Sequence, residues 1–198
     1  MIQTLARGII AALEKRNAIR PQDRDVYIYG CDILLYTVFS TAGLFAIGFA
    51  FSRFWETVVC VCVFYLNQSV GGGYHATTHL RCFLTMAAGL TIFILSFLLP
   101  IPHAIDMLLG VLSLAVLYCI PLVLHENKTH LEKNRTQLTK RSHYIAMLQL
   151  LIFIHVSVYF RNWVFHSLSM ALVLCAFSRC VAERLRRRRN NGSGFLLP

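Results

Sequence analysis

The sequence predicts an all-α, polytopic integral membrane protein with about six transmembrane helices, preceded by an N-terminal amphipathic interfacial helix. Three observations carry that prediction. The chain of 198 residues is 57% hydrophobic and only 14% charged, with a mean hydropathy of +0.59, whereas a soluble domain carries nearer a quarter charged residues. Its apolar residues come in runs long enough to span hydrocarbon rather than in amphipathic periodicity. Its basic residues gather at the ends of those runs, which is how a membrane protein fixes its orientation.

The elements follow in order. In residues 1–16, Ile2, Leu5, Ala6, Ile9, Ile10 and Leu13 recur at helical spacing, while Gln3, Arg7, Glu14 and Lys15 fall largely off that stripe. This pattern describes a helix lying on a membrane surface or packed on a bundle. It is not a secretory signal, because no charged n-region precedes the apolar residues and no small-residue cleavage site follows. Six apolar stretches come next, near residues 33–51, 55–70, 83–99, 105–124, 144–160 and 163–181. The second is the weakest, since its strongly apolar part runs only from Phe54 to Leu66.

Charge decides whether that stretch crosses. With a cytoplasmic N-terminus and six crossings, Arg53 and Arg161 are the basic residues left outside, and the other Lys and Arg fall inside, as the positive-inside rule requires. Without the second crossing, the loop 125–142, with Lys128, Lys133, Arg135, Lys140 and Arg141, would flip outward. Residues 1–189 are therefore read as a single transmembrane domain, with 190–198 as a disordered tail. The net charge of +10 then belongs to topology and not to nucleic acid, and the tetra-arginine 186–189 is a cytoplasmic anchor. The seven cysteines show no paired spacing, and most read as small apolar core residues.

One segment stands apart: Gly71-Gly-Gly-Tyr-His-Ala-Thr-Thr-His-Leu-Arg-Cys-Phe-Leu84, a glycine-led stretch between two apolar runs. It holds His75 and Cys82, and an imidazole able to take a thiol proton creates the thiolate that attacks carbonyl carbon. On one continuous helix those residues would stand roughly 10 Å apart, beyond proton-transfer reach. Either the segment bends back, or His75 sits on a loop above a helix that starts near Cys82. The glycines make a bend cheap, and the amides of Gly72 and Gly73 are candidate oxyanion donors. Two rivals stand beside the dyad. His79 and Cys82 are i, i+3 neighbours on a helix. His75, His79 and Cys82 form a conceivable metal set, but the position after His75 is Ala76 where a zincin carries its glutamate. Asp32, beside the first span, is a candidate orienting carboxylate, with interfacial solvation as the bland alternative. No ATP-binding motif is present, and no cofactor or metal is expected.

The stretch Gly72-Gly-Tyr-His-Ala-Thr-Thr-His-Leu-Arg-Cys82, and the proline-led exit Ile120-Pro-Leu-Val-Leu-His-Glu-Asn-Lys128 into a basic loop, resemble the accessory gene regulator B family. Its members are bacterial membrane cysteine endopeptidases that process a small signalling propeptide. The resemblance implies His75 as general base and Cys82 as nucleophile, a small amphipathic propeptide as substrate, the bacterial cytoplasmic membrane as location and a homodimer as assembly. One departure is evident: the family usually carries arginine just before the glycines, where this chain has Asn67-Gln68-Ser69. The alternative class is a non-enzymatic membrane protein, a small transporter or assembly factor, in which His75 and Cys82 are structural.

Overall fold

A computed structural model describes residues 2–16, 18–74, 76, 78–120, 122–123, 134–160 and 163–193. His75 and Glu126 lie outside the described residues. The described chain is all-helical: α1 (Ile2–Lys15), a 3-10 turn (Pro21–Asp23), α2 (Arg24–Ala50), α3 (Phe54–Gly71), α4 (His79–Ser96), α5 (His103–Cys119), α6 (Arg135–Tyr159) and α7 (Trp163–Ser193). Among the described residues, each of the six apolar stretches carries a helix.

Four of these helices, α2, α4, α6 and α7, are long and apolar enough to cross a membrane. The expectation of six such helices is met only in part. Helix α5 is a 17-residue apolar helix, and α3 carries Glu56 in its first turn and Asn67-Gln68-Ser69 near its end. Several helices also overrun their apolar stretches into polar flanks. Helix α2 begins at Arg24 and α6 at Arg135, because Lys, Arg and Gln are good helix formers and nothing there stops the ladder.

The chain forms two compact units, residues 1–46 and 47–198. In the first, α1 buries Ala6 and Ile10 while Leu5, Ile9 and Leu13 stay exposed. The apolar stripe therefore splits into a packed line and an exposed line. Arg24 at the start of α2 pairs with Glu14 of α1, Nε to Oε2 at 3.3 Å.

The second unit is built around α7, which packs against α3, α4, α5 and α6. Of its span 56% is buried, against 28% or less in the other three long apolar helices, so α7 is the axis of this unit. Its core joins Leu114 and Leu117 of α5, Phe153 of α6, and Phe165, Leu168, Leu172, Cys175 and Ala176 of α7. Gly110 of α5 lies directly against the Phe153 ring, and a Cβ there would collide with it, which is how α5 and α6 approach closely.

The candidate active site

The glycine-led segment leaves α3 through a tight exit whose parts are all engaged. Gly72 caps the helix at φ 68°, in the left-handed region where a side chain is strained, and its N–H donates to the Gln68 carbonyl at 3.3 Å. Gly72 also forms a parallel bridge with Val123, in which the Val123 N–H donates to the Gly71 carbonyl at 2.9 Å. A Cβ on Gly72 would strike the Val123 carbonyl, one on Gly71 would strike the Arg179 guanidinium, and one on Gly73 would meet the Gln68 amide at 2.7 Å. Positive φ is thus the requirement at Gly72 only; Gly71 and Gly73 are glycines for want of space.

Arg179 organises this end of the unit. It is 2% exposed, and its Nη1 donates to the carbonyls of Leu117 at 3.0 Å and Ile120 at 3.1 Å and to the Ser142 hydroxyl at 3.3 Å. Its Nη2 donates to the Asn67 carbonyl at 3.3 Å. The guanidinium therefore satisfies carbonyls at the C-terminal ends of α3 and α5, where helix dipoles favour a cation. The neighbouring Ser178 accepts from the Tyr74 N–H at 3.2 Å, so two consecutive residues of α7 grip the segment on either side of Gly72 and Gly73.

Beyond Tyr74 the described residues are non-helical until Thr78, which caps α4 in extended conformation and accepts from the Arg81 N–H at 3.3 Å. The Cys82 N–H donates to the Thr78 carbonyl at 3.0 Å, placing Cys82 at the end of the first turn of α4. A helix therefore starts just ahead of Cys82. Cys82 is a free, half-buried thiol. Partial exposure leaves it reachable. His79 is the first residue of α4, in the same turn as Cys82. Cys60 and Cys175, by contrast, are buried.

Asp32 lies in α2, within the first unit, with its side chain buried. Gln68 and Asn67 lie in the last turns of α3: the Gln68 amide sits under Gly73, and Asn67 Nδ2 donates to the Val63 carbonyl at 2.9 Å.

A polar cluster that the sequence did not disclose sits at the opposite end of the second unit. His166, in the first turn of α7, places Nδ1 2.9 Å from Oδ2 of Asp106 in α5 and Nε2 3.0 Å from the Ser96 hydroxyl of α4. Ser169 donates to the Asp106 carbonyl at 2.6 Å. Arg53 extends the cluster, pairing with Glu56 at 2.8 Å and lying 4.8 Å from the Phe97 ring, which packs edge-on against His166. The available signal was an ionisable residue inside an apolar stretch, and both Asp106 and Arg179 gave it.

Neither the curated proteins nor the solved structures offer a match to this chain. A family model, accessory gene regulator B, matches residues 6–179. That match takes in the glycine exit, the start of α4 and Arg179, and the chain belongs to the accessory gene regulator B family.

Proposed function

We propose that this protein is a membrane cysteine endopeptidase that cleaves a small amphipathic propeptide at the cytoplasmic face, in the making of a quorum-sensing-type signal. Family membership supports peptide processing, and the observation that carries the chemistry is Cys82 in the first turn of α4, half-buried and preceded by a clamped glycine exit. In this reading all six apolar helices cross, the N-terminus and the site face the cytoplasm, and α1 lies in the interface with Leu5, Ile9 and Leu13 toward lipid. The membrane is the bacterial cytoplasmic membrane, and the assembly is the family's homodimer.

His75 takes the Cys82 proton, and the thiolate attacks the scissile carbonyl carbon. As the tetrahedral species collapses, the C–N bond breaks, protonated His75 gives its proton to the departing amine, and a thioester remains on Cys82. Water, or a thiol or hydroxyl of the bound peptide, then displaces the Cys82 sulfur. The internal nucleophile yields a thiolactone or lactone. Because the Gly72 amide already donates to Gln68, the oxyanion donor drawn from this segment is Gly73.

The rival class, a non-enzymatic transporter, gains one observation in the paired Asp106 and His166. Those residues occupy first turns of helices, and Ser96 closes α4, so they fit a clamp at the rim better than a mid-membrane binding site.

The test is substrate-free. Limiting iodoacetamide is applied to the detergent-solubilised protein between about pH 5 and 9, with labelling read at each cysteine by mass spectrometry. Rapid Cys82 labelling well below the ordinary thiol pKa of about 8.5, lost in His75→Ala, is the expected result. Slow labelling that ignores the histidine would remove the dyad.

A further inference from the structure

We propose that Arg179, together with its neighbour Ser178, is a positioning device for the cleavage reaction: the pair fixes the glycine-led exit of α3 as far as Tyr74, the last described residue before His75. The inference rests on the cysteine endopeptidase reading and deepens it. Arg179 is 2% exposed, so it does not meet substrate. What it meets is the exit of α3, through the Asn67 carbonyl and the face of Gly71, and the exit of α5, through the Leu117 and Ile120 carbonyls. Ser178 holds the Tyr74 N–H, one residue before His75. The Val123 bridge to Gly71 and Gly72 ties the same exit to the chain after α5.

These restraints act in series. The guanidinium fork fixes where α3 ends, the left-handed Gly72 turns the chain, and Ser178 holds the Tyr74 amide. Lysine cannot reproduce the arrangement, because a single ammonium cannot reach four acceptors spread over α3, α5 and α6 in the plane of a fork. The energetic contribution to the site is geometric: a general base displaced by about 1 Å costs on the order of a hundredfold in rate.

The experiment compares iodoacetamide labelling of wild type, His75→Ala, Arg179→Lys and Ser178→Ala, read at Cys82 and at the buried Cys60 and Cys175. If the pair positions His75, Cys82 labelling near pH 6 falls about tenfold in Arg179→Lys and Ser178→Ala, toward the His75→Ala profile. Cys60 and Cys175 stay protected. A merely structural role gives the opposite pattern: Cys82 slows only in samples where Cys60 and Cys175 become labelled. That pattern overturns the proposal, as does Cys82 labelling at the wild-type rate in both variants. Should Arg179→Lys fail to fold, Ser178→Ala, which removes a single hydrogen bond, decides. If His75→Ala itself leaves Cys82 labelling unchanged, the endopeptidase reading has failed, and that result is separate from any behaviour of the α7 pair.

Discussion

Asp106 and His166 meet as carboxylate and imidazole, Oδ2 to Nδ1 at 2.9 Å and Oδ1 to Nδ1 at 3.1 Å, with side chains only 6% and 13% exposed. With Ser96 on the far side of the ring, the pair joins the end of α4 to the starts of α5 and α7. Removing one partner leaves the other buried without its hydrogen bond, at a cost of about 1–3 kcal/mol. His166→Leu and Asp106→Leu should each lower the melting temperature in detergent, and the double variant should lose less than the sum of the two. Additive losses would mean the two residues are not coupled.

Gly72→Ala combines a left-handed φ with a clash at the Val123 carbonyl, and should cost roughly 1–3 kcal/mol. Gly8→Ala in α1 is the contrasting substitution, since nothing lies within 4 Å of its Cβ. There the expected change is a gain of up to about 1 kcal/mol from helix propensity. Thermal unfolding of the two variants side by side checks both signs.

At the α5–α6 contact, Gly110→Ala drives a methyl into the Phe153 ring and should destabilise by about 1–3 kcal/mol. Adding Phe153→Leu opens room for that methyl, so the double variant should be more stable than the two separate losses imply. A purely additive result would show that the helices separate instead of repacking.

Cys82→Ala should abolish cleavage of the cognate propeptide, by at least about a thousandfold, with the melting temperature unchanged. Cys175→Ala should do the reverse, keeping cleavage while costing stability, because its thiol is packed in the core between α3 and α7 with Sγ 3.9 Å from the Val63 carbonyl. Loss of folding in the first, or of cleavage alone in the second, would reassign the two thiols.

The positions of α2 to α7 were legible because an apolar run leaves the backbone one economical way to bond itself. The exit of α3 was legible in the glycine-led segment, and the entries of α2 and α6 less so, since Arg24 and Arg135 continue a helix as readily as they flank one. The start of α4 beside Cys82 was one of two arrangements that the spacing left open. The partners of Arg179 were not legible. In the sequence it is one more charge at the end of an apolar run, and nothing local tells an arginine that anchors an interface from one that folds back onto carbonyls of α3 and α5. Asp106 and His166 were hidden for the same reason: a pairing between helices far apart in sequence leaves no periodicity in either.

Three glycines in a row suggest slack, a place where a chain swivels. Here each is pinned by something different: a guanidinium at Gly71, a carbonyl at Gly72, a side-chain amide at Gly73. The triplet works as a keyhole cut to the outline of its neighbours. Its glycines are therefore tied to residues elsewhere in the chain, and a substitution at Gln68, Val123 or Arg179 would change which side chains the triplet tolerates without touching the triplet itself.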